Sequence, residues 1–286
     1  MTSLDNTIIT ALPPAELIQT SVQRGLAEDI GSGDVSAQLV PDKQVVAAKI
    51  INRQAMVLCG SAWVEEVFRQ IDVRLHVEWL KKEGERLEAG SIVCKINGPT
   101  RSLLTAERTA LNFLQSLSGT ATVARRYADA VAGTGVTLLD TRKTLPGWRQ
   151  AQKYAVRCGG CCNHRMGLYD AYLIKENHIR AAAGITNAVN TAKQNNPGLP
   201  IEVEVESLAQ LKEAIEANPS RIMLDNFDVD QIRAAVEITG GRVPLEASGN
   251  ITFDTIRGVA ETGIDFISIG ALTKDISAAD LSLLLE

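Results

Sequence analysis

Residues 201–225 read IEVEVESLAQLKEAIEANPSRIMLD, and their pattern decides the fold. The stretch opens with an alternating run, Ile201–Val205, and closes with a second apolar run, Ile222–Asp225. Between the runs, Ser207 and Gln210 have the spacing of a capping box, which predicts that a helix begins there. The stretch is therefore predicted to form one strand–helix–strand unit.

Similar units recur through the second half of the chain. The apolar runs that end in a polar residue or a glycine are Val136–Asp140, Ala171–Lys175, Ile201–Val205, Ile222–Asp225, Val243–Ala247 and Phe266–Gly270. The last four begin about 20 residues apart, and helical patterns fill the gaps between them. In one gap, Asp228 and Gln231 predict a second capping box.

Repeated strand–helix units favour a parallel sheet. No Gly-x-Gly-x-x-Gly turn follows any of the runs, which favours a barrel over an open nucleotide-binding sheet. The units are fewer than a complete barrel has, so the predicted barrel is incomplete.

The first part of the chain has a different pattern. Its helical stretches are 15–28, 62–70 and 103–117, and its first strand-like runs are 45–51 and 55–58. This mixture predicts a smaller α+β domain over residues 1–115, followed by an α/β barrel domain with a C-terminal tail over residues 116–286.

Composition excludes several classes of function. Of the 286 residues, 45% are hydrophobic, and the net charge is −5, so no bulk basic surface is expected to bind nucleic acid or an anionic membrane. No apolar run is long enough to cross a bilayer, and residues 1–16 lack the pattern of a signal peptide. Five cysteines fit a reducing compartment. We therefore expect a cytoplasmic protein.

The ends of the predicted strands carry most of the reactive side chains. In an α/β barrel these ends meet at one rim, where active sites lie. The cations expected at this rim are Arg142, Lys143, Arg165 and Lys175, with His164 beside them. An acidic protein that gathers cations at one rim is predicted to bind an anion there. Arginine suits planar carboxylates, and lysine suits carboxylate or phosphate.

Two further groups of residues complete the predicted rim. Glu204 and Asp225 end neighbouring units, where they can bind Mg²⁺ or accept sugar hydroxyl groups. Ser248-Gly249-Asn250 and Gly270-Ala271 end the last two units, and small residues there let backbone N–H groups approach a phosphate.

A cysteine cluster at Cys158, Cys161 and Cys162 suggests zinc. Structural zinc usually needs two pairs of ligands, and Cys59 and Cys94 are isolated in the other predicted domain. We therefore predict buried, inert thiols and no zinc.

With these residues laid out, the sequence resembles the quinolinate phosphoribosyltransferase family over nearly its whole length. The most specific stretches are Thr105–Asn112, Leu139–Gly147, Asn163–Arg165, Leu173–His178 and Leu224–Phe227. The resemblance implies an α/β fold, an open, incomplete α/β barrel with a smaller N-terminal α+β domain. It also implies a homodimer with shared active sites. Cys161-Cys162 stands where the family pattern has a glycine and a variable residue.

The resemblance further implies transfer of a phosphoribosyl group from phosphoribosyl pyrophosphate to quinolinate with loss of CO₂, which yields nicotinate mononucleotide for NAD biosynthesis. The implied quinolinate-binding residues are Arg108 of the partner subunit, Arg142, His164, Arg165 and Lys175. The implied contacts to phosphoribosyl pyrophosphate are Lys143, Glu204, Asp225, Ser248, Gly249, Asn250, Gly270 and Ala271, with Mg²⁺ on the pyrophosphate. Thr141 belongs to the same binding loop, and Lys143, Glu204 and Asp225 are the predicted catalytic residues.

Three other functions are compatible with parts of this pattern. A Schiff-base aldolase would use Lys143 or Lys175 as its nucleophile but leaves the arginines without a role. A phosphoribosyltransferase for another base would not need both Arg142 and Arg165. A protein that binds the same anions without turnover would not need the complete set of Lys143, Glu204 and Asp225.

Overall fold

The computed structural model describes residues 11–286. The predicted absence of a signal peptide concerns residues that lie mostly outside this range. Among the described residues, no helix has both the length and the apolar character that a membrane span requires.

The elements alternate along the chain. In the first half they are α1 (Ala15–Ile30), β1 (Val45–Asn52), β2 (Met56–Val57), α2 (Ser61–Ile71), β3 (His76–Trp79), β4 (Arg86–Leu87), β5 (Ile92–Pro99), α3 (Thr100–Ala130) and β6 (Thr137–Leu139). In the second half they are α4 (Arg149–Cys158), β7 (Tyr172–Ile174), α5 (Glu176–Ala181), α6 (Ile185–Asn195), β8 (Ile201–Val205), α7 (Leu208–Ala217), β9 (Arg221–Asp225), α8 (Val229–Thr239), β10 (Leu245–Ser248), α9 (Ile256–Ala260), β11 (Phe266–Ser268), α10 (Ala271–Lys274) and β12 (Leu281–Leu285).

The chain packs into two compact units that are not contiguous in sequence. Among the described residues, the first unit contains 11–125 together with 150–160 and 276–286, and the second contains 126–149 and 161–275. The sequence-based boundary at residue 115 falls inside α3, and residues 276–286, the last part of the predicted barrel domain with its tail, lie in the first unit.

The first unit is built on an antiparallel sheet in the order β12-β1-β5-β3. Strand β1 alternates exposed and buried residues, and its buried residues include Ala48 and Ile50. The last strand, β12, pairs with β1, and Leu285 lies opposite Ala48. No local pattern predicts β12, because its pairing partner β1 is more than two hundred residues away in the chain.

The second unit is a parallel sheet of six strands in the order β6-β11-β10-β9-β8-β7. All its pairings are parallel, and β6 and β7 are its two ends. The sheet is therefore open. The predicted α/β class, with an open parallel sheet and a smaller N-terminal part that has an antiparallel sheet, is confirmed.

The predicted capping box at the start of α8 is confirmed, and the one at the start of α7 forms only in part. Asp228 and Gln231 form a complete capping box, with bonds of 2.8 and 2.9 Å. Ser207 accepts a hydrogen bond from the Gln210 backbone N–H, but the Gln210 side chain accepts from the Glu206 N–H instead of that of Ser207. The predicted box at the start of α7 is therefore only half formed.

Helix α3 runs well beyond its predicted end near residue 117. The sequence after Leu117 is rich in glycine and threonine, which disfavour helix on propensity alone. The Thr120 and Thr122 hydroxyl groups donate to carbonyl groups one turn earlier, at 3.2 and 2.6 Å, and the buried face of the helix continues through Ala121 and Ala124. Packing therefore outweighs local preference in this part of α3.

Substitution of Gly119 by alanine should strongly destabilise the first unit. A Cβ at this position would lie 2.0 Å from the Ser277 carbonyl oxygen, so the last segment of the chain would have to move away from α3. We expect a loss of several kcal/mol, by analogy with overpacked cores. Gly258→Ala is the matched control, because Gly258 is a helical glycine with open space at its Cβ position and should gain up to about 1 kcal/mol. Thermal unfolding of both variants checks this, and equal melting temperatures would contradict it.

Candidate active site

The inner face of the parallel sheet carries polar residues. Side chains alternate along a strand, so Glu202 and Glu204 of β8 share the face opposite to the buried Val203. In the register of the sheet, Glu202 lies opposite Arg221 of β9, and Met223 lies opposite both Glu204 and Glu246 of β10. This face therefore combines carboxylates and a cation in consecutive layers.

Three of the four predicted cations of the rim lie on the loops that follow β6 and α4, and the fourth, Lys175, follows β7. Arg142 and Lys143 are exposed on the first loop, and Arg165 is half-buried on the second. Burial and the neighbouring Arg142 guanidinium lower the pKa of Arg165. The Arg149 guanidinium donates to the Arg142 and Met166 carbonyl groups, so the backbone segments that carry these two predicted carboxylate-binding residues lie side by side.

Asp140 holds the second loop beside the first. Its carboxylate accepts hydrogen bonds from the Asn163 side-chain amide at 2.6 Å and from the His164 backbone N–H at 2.9 Å. Backbone bonds of Cys162 to Leu138 and Asp140 make the same connection. Asp140 is fully buried at the end of β6, so it fixes where His164 and Arg165 leave the sheet.

His164 is turned into the sheet. Its Nδ1 accepts the Arg165 backbone N–H at 2.7 Å, and its Nε2 lies 2.8 Å from a Glu202 carboxylate oxygen. A Glu246 oxygen lies 3.5 Å from the same nitrogen, and the His164 side chain is only 9% exposed. A carboxylate ligand that bonds to either nitrogen must therefore compete with a partner inside the protein.

The buried Glu202 and Glu246 form a charged group with the half-buried Arg221, and the sequence did not predict this group. The Arg221 guanidinium donates to Glu246 at 2.8 Å and stacks 4.0 Å from the centre of the Phe266 ring. Burial first, and then the nearby Glu202 carboxylate, raise the pKa of Glu246 to about 7. The sequence signal was the alternating glutamates of residues 201–206, which cannot all face solvent on a barrel strand.

Lys175 and Glu204 form an ion pair at the end of β7 and β8. The Glu204 side chain is 12% exposed and that of Lys175 is 46% exposed, so the pair lies at the edge of the buried face. Both residues were predicted from strand ends, and the structure brings them together.

Hydrogen bonds join the turn after β9 to the turn after β10. Asn226 and Asn250 have positive φ angles of 58° and 51°, and Gly249 has φ 96°. The Asn226 N–H donates to the Ser248 carbonyl at 2.9 Å, and its side-chain carbonyl accepts from the Asn250 amide at 3.1 Å. A Cβ on Gly249 would lie 2.2 Å from the Asn226 side-chain oxygen, so only glycine fits.

These turns place Asp225 and Ser248 side by side. Ser248 lies opposite Asp225 in the sheet register, and the Asn226 side-chain amide donates to the Asp225 carboxylate at 2.9 Å. Asn226 was not predicted as a site residue, although it lies in the family motif Leu224–Phe227. It joins the Asp225 carboxylate to the predicted phosphate-binding turn at Asn250. Its chemical signal was an asparagine directly after a strand, a residue that tolerates the left-handed conformation.

Lys143 lies over the glycine that follows β11. A Cβ on Gly270 would lie 3.2 Å from the Lys143 Cδ and 3.8 Å from its Nζ. Gly270 and Ala271 open the short helix α10, and the Thr141 hydroxyl accepts the Lys143 backbone N–H at 3.1 Å. The predicted residues of the last strand end and of the first loop are therefore neighbours.

Arg108 lies in the first compact unit, exposed on α3. Its predicted place in a shared site stays a prediction.

The cysteines differ from the sequence-based expectation in two ways. Cys162 is exposed, whereas Cys158 and Cys161 are buried. Cys59 is not isolated, because its sulfur, the Cys158 sulfur and a Glu83 carboxylate oxygen all lie within 4.8 Å of one another in the first unit. The two Glu83 oxygens accept hydrogen bonds from Gly60 and Ser61 at the start of α2. Folding therefore places Cys59, which was predicted to be isolated, beside Cys158. Glu83 has a structural role there, because its carboxylate accepts hydrogen bonds at the start of α2.

The fold and the candidate site together define a class of protein. An open α/β barrel presents clustered arginines, a lysine above a glycine turn, and carboxylates at adjacent strand ends, all within one compact unit. This combination is that of a barrel enzyme that transfers a group between anionic substrates.

Comparisons with known proteins then identify the family. Residues 34–118 match the N-terminal domain model of quinolinate phosphoribosyl transferase, and residues 120–284 match its C-terminal domain model. A probable nicotinate-nucleotide pyrophosphorylase (carboxylating) of Synechocystis is 42% identical over 279 residues, covering 96% of this chain and 95% of that protein. One of Bacillus subtilis is 39% identical over 257 residues, covering 90% and 89%.

A solved structure supports the same assignment. The nicotinate-nucleotide pyrophosphorylase from Francisella tularensis superimposes with a TM-score of 0.94 and 49% identity, covering 96% of this chain and 98% of that one. The chain belongs to the quinolinate phosphoribosyl transferase family. The activity that these relatives indicate is that of a decarboxylating quinolinate phosphoribosyltransferase in NAD biosynthesis.

Glu246→Gln should change how stability depends on pH. The folded-state pKa of Glu246, about 7, lies above that of an unfolded-chain carboxyl group, about 4.3, so the folded protein binds this proton more tightly. The resulting stabilisation is complete below the unfolded-state pKa and is lost as the pH rises through the folded-state pKa. Glutamine does not titrate, so the melting temperature of the variant relative to the original protein should be higher at pH 8 than at pH 5.

The matched control is Glu237→Gln, an exposed glutamate on α8. Its melting temperature relative to the original protein should be similar at the two pH values. A relative melting temperature of Glu246→Gln that does not vary with pH would show that Glu246 is not protonated more readily in the folded state.

Proposed function

We propose that Arg142, Arg165, Lys175 and His164 bind the two carboxylates of quinolinate. The observation that supports this most directly is that Arg149 joins the two loops that carry Arg142 and Arg165, where the charge of Arg142 lowers the pKa of the half-buried Arg165 and a bound anion would relieve the repulsion. Two arginines suit two planar carboxylates. Lys175 reaches the same pocket if it exchanges Glu204 for the ligand, and His164 contributes if it releases an internal partner.

The phosphoribosyl pyrophosphate would bind on the other side of the rim. Backbone N–H groups at Ser248-Gly249-Asn250 and at Gly270-Ala271 suit phosphate oxygens, and the obligatory glycine at 249 permits close approach. Lys143, which lies over Gly270, supplies a positive charge for the pyrophosphate leaving group, with Thr141 holding the backbone of its loop.

Glu204 and Asp225 are the proposed catalytic carboxylates beside Lys143. Departure of pyrophosphate leaves positive charge on the ribose, which fixed carboxylates stabilise electrostatically. Attack by the ring nitrogen then forms a pyridinium, which accepts the electron pair as the C2 carboxylate leaves as CO₂, and a proton takes its place. No covalent intermediate with the enzyme is required, so orientation of the substrates provides much of the catalysis.

Mg²⁺ is the proposed cofactor. The donors fit it, because magnesium in such sites is bound by one or two carboxylates together with substrate phosphates. Asp225 lies beside Ser248 in the phosphate turn, whereas Glu204 is engaged by Lys175 and must share its charge. When bound, the ion would neutralise pyrophosphate charge.

Lys143→Ala and Asp225→Ala should each lower kcat by about 100-fold or more, because each removes a charge that acts on the reacting groups. Their melting temperatures should change little, since Lys143 is exposed and Asp225 lies at a strand end. Asp225→Asn should also raise the Mg²⁺ concentration that gives half-maximal activity. Release of pyrophosphate and CO₂ is measured against Glu206→Ala, an exposed glutamate two residues beyond Glu204. Unchanged turnover in either variant would remove that residue from the site.

We further propose a homodimer in which Arg108 completes the site of the partner subunit. The support is the family resemblance of Thr105–Asn112 and the exposure of Arg108 on α3. Arg108 projects from between Thr105 and Thr109, whose hydroxyl groups donate to Asp34 and Asp29 at 2.9 and 3.3 Å. These hydrogen bonds fix this part of α3 within its own unit. A residue that acts in a partner's site needs such a fixed backbone.

Mixed dimers test this arrangement. Arg108→Ala and Lys175→Ala subunits should each be inactive alone, but a hybrid has one site with neither substitution. Random exchange should therefore restore up to about a quarter of the original activity. The control mixture is Arg165→Ala with Lys175→Ala, whose hybrids have a defect in both sites and should stay inactive. If the first hybrids form and remain inactive, Arg108 does not act in the partner's site.

We infer a cytoplasmic location from the thiols. The chain has five cysteines, an odd number, and Cys158, Cys161 and Cys162 are bunched together in the sequence. Such a set fits a reducing compartment better than a framework of disulfides.

A further inference from the structure

Arg149 connects the two loops that carry the predicted quinolinate arginines. Its guanidinium donates from Nε to the Thr144 hydroxyl at 3.1 Å, from Nη1 to the Met166 carbonyl at 3.2 Å and from Nη2 to the Arg142 carbonyl at 3.3 Å. The side chain starts from the first residue of α4, where a helix fixes its backbone. One residue thus bonds to both loops.

The chemistry of this contact requires arginine. A guanidinium is planar and directs several N–H donors along fixed directions, whereas a lysine ammonium on a flexible stem does not reproduce them. Two of the acceptors are backbone carbonyls, one of Arg142 itself and one of the residue that follows Arg165. Loss of the Arg149 guanidinium therefore removes one hydrogen bond from the backbone beside each arginine, although the Arg142 carbonyl keeps the Thr144 N–H and the Met166 N–H keeps the Asp170 carboxylate.

Lys143 lies on the first loop but has another attachment. The Thr273 hydroxyl, on α10, donates to the Lys143 carbonyl at 2.8 Å, and Thr273 is fully buried. The lysine assigned to the pyrophosphate is therefore tied to the last strand–helix unit, and the arginines assigned to quinolinate are tied together by Arg149.

We propose that Arg149 is the positioning residue for the quinolinate arginines, and that Thr273 is the positioning residue for Lys143. This proposal rests on the proposed roles of Arg142, Arg165 and Lys143. Arg149 itself touches no substrate in this arrangement. It sets the separation of the two guanidinium groups, and this separation must match the separation of the two carboxylates on the ring. Displacement of a binding group by about 1 Å can cost about 100-fold.

The test is a pair of opposite changes in Michaelis constants. Arg149→Lys should raise KM for quinolinate about tenfold or more and leave KM for phosphoribosyl pyrophosphate within about twofold. Thr273→Val removes the hydroxyl but keeps the shape of the side chain. This variant should raise KM for phosphoribosyl pyrophosphate about tenfold or more and leave KM for quinolinate within about twofold. Arg242→Lys is the matched control, because Arg242 also donates to backbone carbonyls in the same unit, those of Ile238 and Thr239, and should change neither constant.

A merely structural role predicts a different result. Arg149→Lys would then lower the melting temperature or kcat without separating the two Michaelis constants, and this outcome would overturn the proposal. Thr144→Val is a milder variant that removes only the Nε acceptor, and should raise KM for quinolinate by a smaller factor. It provides the measurement if Arg149→Lys does not fold, and an unchanged KM in Thr144→Val would then count against the proposal.

A double substitution separates this proposal from the site assignment on which it rests. If Arg149 acts through Arg165, Arg149→Lys should cost much less in an Arg165→Ala background than in the original protein. Equal costs in both backgrounds would overturn the positioning role. If Arg165→Ala alone leaves KM for quinolinate unchanged, the assignment of Arg165 fails instead.

Discussion

The inner face of the parallel sheet buries carboxylates, and charge buried without a partner is very costly. Glu246 is fully buried and Glu202 nearly so, and the protein balances them with His164 and Arg221. These partners come from the loop beside β6 and from β9. The need to balance this charge therefore fixes where the loop after α4 crosses the end of the sheet, and with it the position of Arg165.

From that position outward, the site is organised by backbone contacts. Asp140 holds the start of the loop, and Arg149 holds its continuation to the loop after β6. Thr273 attaches Lys143 to α10. On the opposite side, positive φ angles at Asn226, Gly249 and Asn250 shape a turn that no side chain at 249 could enter. The residues proposed to bind the substrates are thus held by neighbours that contact only the protein.

Much of the barrel was predictable, because its information is local. All six strands of the parallel sheet were found from apolar runs, and the strand-end rule placed Lys143, Lys175, Glu204, Asp225 and Ser248 at one rim. The alternation in residues 201–206 also showed that the glutamates share a face. It did not show that His164 and Arg221 balance them, because those residues are distant in sequence and adopt these contacts only when the strands are in register.

The sequence by itself determined the α/β class, the order of units in the barrel and the chemical nature of the rim, because side-chain periodicity and strand-end chemistry are properties of short segments. Only the tertiary structure decided that β12 returns to β1, that α3 continues to Ala130, that Cys59 meets Cys158, and that Arg149 joins two loops. Each of these depends on contacts between distant segments. Their free energy comes from packing and hydrogen bonds that exist only after the chain has folded, so local patterns do not encode them.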